Sequence, residues 1–209
     1  MVTVFIILFV LTLLYAGMAD RMNTLVNILG VQGLLLFATA FVELQNVDIV
    51  NLSFILVETI VVKGLLIPLM LMRTIKRNKI VREADPTVTQ FQSLLVVTAI
   101  VFLSFVIAYG IQQHHLRIGY FTASMSAVFV GLYIIMTRTK IITHMIGYLI
   151  LENGIFLLSL AVGSEMPLAV NTAILLDLLT SVLLLAFLVD KVGQTFQTVD
   201  VHELIELND

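Results

Sequence analysis

The run Ile141-Ile-Thr-His144-Met-Ile-Gly147-Tyr-Leu-Ile-Leu-Glu152-Asn153-Gly154-Ile-Phe156-Leu-Leu-Ser-Leu-Ala-Val162 decides the fold. It is apolar for the ~20 residues that a helix needs to cross the hydrocarbon core of a bilayer. Yet a carboxylate, Glu152, stands in its middle beside Asn153. A charge at that depth costs at least roughly 2.5–3.5 kcal/mol on insertion scales, so it is rare unless it faces protein or water and has a task. Two further acids, Glu58 and Asp177, and one base, Lys63, lie in apolar runs of the same kind. Three acids and a base at membrane depth, with no cofactor motif beside them, point to the handling of protons or cations.

The whole composition agrees with a membrane solvent. Hydrophobic residues make up 60% of the 209 positions and charged residues 12%, against about 25% charged in a soluble domain. The chain has no cysteine, which excludes disulfides, thiolate-bound iron–sulfur clusters and cysteine nucleophiles. No flavin, nickel or nucleic-acid motif is present, so no cofactor and no nucleic-acid partner is expected. The apolar start, Met1–Ala16, lacks the basic flank of a signal peptide and reads as a retained helix.

Seven apolar runs follow one another: Val2–Ala19, Leu25–Leu44, Ile49–Met72, Phe91–Ile111, Gly119–Met136, Ile141–Val162 and Ala169–Val189. They are continuous rather than alternating, which selects helices over a barrel. An all-α integral membrane protein of about seven transmembrane helices is the expected fold. The basic residues alternate between the gaps. Arg21, the cluster Arg73, Lys76, Arg77, Lys79 and Arg82, the pair Arg138 and Lys140, and Lys191 fall on one side, leaving Arg117 on the other. The positive-inside rule then places the N-terminus outside and the C-terminus in the cytoplasm of a prokaryotic cell membrane.

Two stretches of the chain are alike. Gln32-Gly33-Leu-Leu-Leu-Phe-Ala, a loop, and Phe54-Ile-Leu-Val-Glu58 have a counterpart in Asn153-Gly154-Ile-Phe-Leu-Leu-Ser, a loop, and Ala173-Ile-Leu-Leu-Asp177. Residues 1–75 and 119–191 therefore read as two parallel three-helix units. A basic loop and linking helix, residues 76–118, lies between them, and an acidic cytoplasmic tail, residues 192–209, follows. Gly30, Gly33, Gly147 and Gly154 are expected where helices pack closely, and Pro68 is expected to kink or loosen the third helix.

The stretch from Ile146 to Leu158 resembles the second helix of the K-type subunit of respiratory complex I. It also resembles the C-type subunit of multisubunit Na⁺/H⁺ antiporters. The stretch from Asn171 through Asp177 to Lys191 resembles the third helix of the same subunits. The whole chain most resembles the hydrogenase-4 component E family, the K-like membrane subunit of group 4 hydrogenase and formate hydrogenlyase complexes. The resemblance implies a subunit that is not catalytic alone. Its partners would be antiporter-like membrane subunits and hydrogenase or dehydrogenase subunits, and H⁺ or Na⁺ would pass along a line of polar residues. Glu152 and Asp177 carry over as the family acids, with Asp in place of the more usual Glu in the last helix. Gln32 stands where the first unit would carry its own acid, leaving Glu58 as the ionisable group there.

The candidate pathway is thus Glu58, Lys63, Glu152 and Asp177, with Gln32, His144 and Asn153 as auxiliaries. Glu152 and Asp177 are expected as neighbouring stations, with Glu58 and Lys63 extending the line on the other side of the subunit. Each candidate also has a plainer role. Glu58 and Lys63 lie five residues apart, about 140° around an α-helix, so Lys63 is open to a carboxylate on a neighbouring helix. Asn153 could equally tie helices together. His144 lies two helical turns before Glu152 and either feeds it protons or packs at the interface. His114 and His115 read as a solvated loop. The tail Val199–Leu207 alternates acids with apolar residues and either docks on a partner or stays unstructured. A self-sufficient small transporter and a membrane scaffold remain the competing functional classes.

Overall fold

The computed structural model describes residues 2–43, 53, 56–77, 87–111 and 117–162; of Glu43, Glu58, Val62, Arg77 and Val162 only the backbone is described. Among the described residues the chain is helical: α1 (Val2–Met18), α2 (Met22–Glu43), a π-helical segment (Glu58–Leu66) running into α3 (Ile67–Arg77), α4 (Gln90–Ile111), α5 (Ile118–Thr137) and α6 (Ile141–Val162). Four helices are long and apolar enough to cross a membrane, Met22–Val42, Gln90–Ile111, Ile118–Thr137 and Ile141–Ala161. α6 starts at Ile141, where the expected run starts, and is helical throughout that run to the last described residue, Val162; the third helix extends past its expected end to Arg77. The seventh expected span, with Asp177, lies outside the described residues, as do His114, His115, Lys79, Arg82, Lys191 and the acidic tail.

Side chains that a soluble protein would hide are turned outward. Along α4, Phe91, Leu95, Phe102, Phe105 and Tyr109 are all exposed, as expected of a helix that is apolar all round and solvated by lipid. The interior is held by helices that approach closely. A methyl group on Gly131 would lie 2.6 Å from the Gly147 carbonyl oxygen, and one on Gly147 would lie 2.8 Å from that of Gly131. Further along the same seam, a methyl on Gly154 would meet Ala127 at 2.8 Å and the Ser124 oxygen at 2.9 Å. The α5–α6 pair is therefore packed backbone to backbone, the arrangement small residues permit in lipid. Gly30 also lies at a helix contact but a looser one: a methyl there would meet the Gly64 carbonyl oxygen at 3.5 Å and Pro68 at 3.8 Å, ordinary contact distances.

Two contacts show that α1 and α5 run in the same direction. Gly119, at the start of α5, sits against Ile6. At the other end, the Arg138 Nη2 donates to the Gly17 carbonyl at 3.0 Å. The start of α4 joins this same end, with Thr87 donating its backbone N–H to Thr137 O at 2.9 Å and Gln90 bonding Asp20. Gly30 faces Pro68 and Gly33 faces Gly64, so α2 and α3 are antiparallel and Arg73 and Lys76 end beside the start of α2. Arg21, Arg73, Lys76, Arg138 and Lys140 thus gather at one end of the bundle. Arg117 lies at the other, where its N–H donates to Ala161 O.

Arg138 is not the solvated loop charge that the sequence suggests. It is 4% exposed, with its Nη1 3.7 Å from the Asp20 carboxylate. Burial pulls its guanidinium below the ordinary arginine range, and the nearby Asp20 and Tyr133 pull it back. His144 is drawn into the same knot, its Nε2 lying 2.6 Å from the Arg138 carbonyl oxygen.

Candidate functional site

Inside the bundle, the candidate residues of three different elements meet. Lys63 comes from the π segment, Gln32 from α2, and Glu152 with Asn153 from α6. Their local structure brings them there. Pro68 has no N–H to offer the carbonyl of Gly64, four residues back, so the α-helical ladder cannot continue through that turn. The loosening expected at Pro68 takes the form of the π winding Glu58–Leu66 just before it. Such segments are rare and recur at functional sites. Within it the 3.6-residue period that set Glu58 and Lys63 about 140° apart no longer applies.

The π segment is brought close by Gly33. A methyl there would fall 2.7 Å from the Cα and N of Gly64 and 2.9 Å from the carbonyl carbon of Lys63. Backbone therefore touches backbone at the point where Lys63 leaves the chain. Thr59, Lys63 and Ile67 form the inward stripe of this element, all buried.

The Lys63 ammonium donates to Glu152 Oε1 at 2.6 Å, with both side chains buried. This is a short charge-assisted bond. The same ammonium lies 5.0 Å from the centroid of the Phe156 ring. Glu152 and Phe156 are four residues apart, and so neighbours on one helix face. One turn of α6 thus offers the ammonium a carboxylate below and a π face above, the second contributing cation–π attraction. Pairing also lowers the cost of holding either charge away from water, which an isolated charge would meet in full.

The other carboxylate oxygen, Oε2, is buried and accepts no hydrogen bond among the described residues. A cavity of about 10 Å³ adjoins the pair, lined by Leu29, Lys63, Ile67, Leu149, Glu152 and Asn153. That is about the size of one water molecule. The carboxylate thus has one oxygen held by a cation and one without a donor among the described residues, in a cluster that adjoins a water-sized space.

Beside the ion pair runs a neutral chain. Asn153 Nδ2 donates to Gln32 Oε1 at 3.2 Å, Gln32 Nε2 donates to Thr12 Oγ1 at 3.1 Å, and Thr12 donates to Phe9 O at 2.6 Å. Gln32 is fully buried. Gln32 and Asn153 are the two residues placed in register by the likeness of the two stretches, and here they bond to each other. An amide chain fixes orientation but offers no titratable group along its length. The titratable groups of this cluster are Lys63 and Glu152.

Of the residues expected on the pathway, Lys63, Glu152, Gln32 and Asn153 converge. Lys63 meets Glu152 directly instead of lying on the far side of the subunit. His144 is held by the loop at the basic end and takes no part in the cluster. The Glu58 side chain and Asp177 lie outside the described residues. Sequence reading overlooked Phe156 and Thr12; the i+4 spacing from Glu152 to Phe156 and the polar Thr12 within an apolar run were the available signals. No three His, Asp or Glu side chains converge as a metal site among the described residues.

The chain is 26% identical over 156 residues to an uncharacterized protein of Mycobacterium tuberculosis, covering 73% of this chain and 71% of that one. No protein-family model matches the chain, and no solved structure matches it.

Proposed function

We propose that this chain is a non-catalytic membrane subunit of a multisubunit, redox-driven ion-translocating complex of the group 4 hydrogenase or complex I-like kind. In this reading Lys63 and Glu152 form a station on its proton or Na⁺ path. The observation that carries the proposal is the buried 2.6 Å bond between Lys63 and Glu152, with a second carboxylate oxygen free of protein donors among the described residues. A purely structural pair gains most when every lone pair is satisfied. A pair with an oxygen left without a donor among the described residues, adjoining a water-sized space, suits a group that exchanges a proton. In the reaction this supports, a proton moves along the short bond from Nζ to Oε1, leaving a neutral amine and a carboxylic acid. A second proton then reaches the amine, or the acid gives up the one it received. The gain and loss of charge on the pair then couple its state to neighbouring charges on partner subunits.

The same proposal includes seven spans in two parallel three-helix units, with Asp177 as the next station and Glu58 extending the line. It places the N-terminus outside the cell and the basic end in the cytoplasm, the side to which positive charge is held. Cysteine labelling from each side tests the orientation. A cysteine at position 79 is expected to react only from the cytoplasm, and reaction from outside would reverse the assignment.

The functional test is made on the complex captured in mild detergent and returned to vesicles. Glu152→Gln with Asp177→Asn is expected to leave assembly and electron transfer intact while abolishing most ion translocation, each single change having a smaller effect. An amide keeps the shape and a hydrogen bond but cannot pass a proton. Full coupled translocation in the double variant would reduce the acids to structural roles. Purification of the chain as an isolated oligomer that transports by itself would instead favour a self-sufficient transporter.

A further inference from the structure

The outer face of the third element is unlike the rest of the lipid-facing surface. Val61, Leu65 and Leu69 are exposed at four-residue intervals, and Arg73 continues the row. Together with Leu66, Met70, Met72 and Lys76 they line a hollow of about 820 Å³. This lies within the roughly 300–1,000 Å³ of sites that hold organic ligands. Its walls are aliphatic from Val61 to Met72, and its two charges, Arg73 and Lys76, stand together at one end. From Val61 to Arg73 is at most about 18 Å, the length twelve α-helical steps of 1.5 Å would give and the π winding shortens, close to one leaflet of a ~30 Å hydrocarbon core. The charged end is the end where Arg21, Arg138 and Lys140 also gather.

We propose that this hollow is a binding site for an anionic phospholipid, with an acyl chain along Val61, Leu65 and Leu69 and the phosphate between Arg73 and Lys76. Three features select this occupant. The groove is as long as one leaflet is deep. Among the described residues its walls from Val61 to Met72 are apolar, with no polar side chain to fix a water-soluble ligand. Its cationic mouth opens at the depth of headgroups, where basic pockets attract anionic lipids. Arg73 and Lys76 lie three residues apart, so both side chains project from the same face of α3 and can share one phosphate. The proposal rests on the membrane setting of the helices and not on the ion-translocation reading, so the two can fail separately.

The test uses the full chain in mild detergent, with phosphatidylglycerol or phosphatidylcholine of identical acyl chains added. Phosphatidylglycerol is expected to bind with a preference on the order of tenfold over phosphatidylcholine, from two basic contacts. It should raise the thermal midpoint correspondingly more. Arg73→Gln with Lys76→Gln is expected to erase the difference, and Arg117→Gln, at the opposite end, to preserve it. Equal effects of the two lipids on the unaltered chain, or a preference that survives the double change, would overturn the proposal. A photoreactive residue at Leu69, activated in intact cells, gives an independent reading. Lipid adducts support the assignment, whereas a discrete protein adduct assigns the hollow to a neighbouring helix and refutes it.

Discussion

Lys63→Met alone is expected to cost about 3–5 kcal/mol of stability, the range for removing one member of a buried ion pair. The cost does not come from the lost bond alone. Glu152 Oε2 already accepts nothing among the described residues, and the substitution strips Oε1 of its 2.6 Å donor as well. The carboxyl group must then take up a proton or draw in water, each at a cost. Glu152→Leu alone removes the carboxylate from the Lys63 ammonium and is expected to be comparably harmful. The double change, Lys63→Met with Glu152→Leu, fills the same space with apolar groups and is expected to regain most of the loss, since buried pairs replaced by well-packed hydrophobes are often neutral or better. Denaturation of all four proteins in one detergent closes the double-mutant cycle. If the single changes were harmless, or the double change cost their sum, the pair would not be an energetic unit. A stable double variant that assembles but translocates nothing would separate the need for titratable groups from the need for a folded bundle.

This separation matters because a membrane interior can tolerate an ion pair without using it. Here the pair combines features that a stabilising device would avoid. The lysine sits on a π segment, whose hydrogen bonding is less regular than that of an α-helix. The carboxylate has an oxygen without a donor among the described residues, while the neighbouring amides are tied into a chain, Asn153 to Gln32 and Gln32 to Thr12. The neutral network holds the helices, and the charged pair is left with a degree of freedom.

Much of the helical framework was legible from residues 1–162 because hydropathy is a one-dimensional signal in a lipid solvent. Ile141–Val162 is bounded by Lys140 on one side and by a polar stretch on the other, and its helix begins as read and runs through the whole stretch. Glu152, Asn153 and Gln32 also stood out, being polar groups in apolar runs. What could not be read was their pairing. Lys63 and Glu152 are 89 residues apart, and no local pattern records which helices touch. The α-helical period left Lys63 open to a carboxylate on a neighbouring helix, which is where it is found, but it could not show the π winding that carries it. Arg138 looked like an ordinary loop charge because its burial comes from α1 and Asp20, more than a hundred residues earlier. Gly131 was passed over for the same reason: its importance lies in the opposing Gly147, not in its neighbours along the chain.

Gly33→Ala is expected to be among the most damaging single-methyl additions in the chain, although alanine is the better helix former by up to about 1 kcal/mol. The new Cβ would fall 2.7 Å from both the Cα and the N of Gly64 and 2.9 Å from the Lys63 carbonyl carbon. None of these is the end of a flexible side chain, so α2 and the π segment must separate. Overpacking of this kind costs about 1–3 kcal/mol, and more where backbone has to shift. Displacement would also reach the site, because Gln32 precedes Gly33 and Lys63 precedes Gly64. The 2.6 Å bond to Glu152 and the 3.2 Å bond to Asn153 would both lengthen. Gly64→Ala provides the matched control, since a methyl there meets its nearest atoms at 3.4 and 3.9 Å, ordinary contact distances. It is expected to leave the melting temperature unchanged or raised, whereas Gly33→Ala lowers it by several degrees, on the scale that about 1–3 kcal/mol produces. Equal melting of the two variants would mean that α2 does not press on the π segment, and that the closeness of Lys63 to Glu152 has another cause.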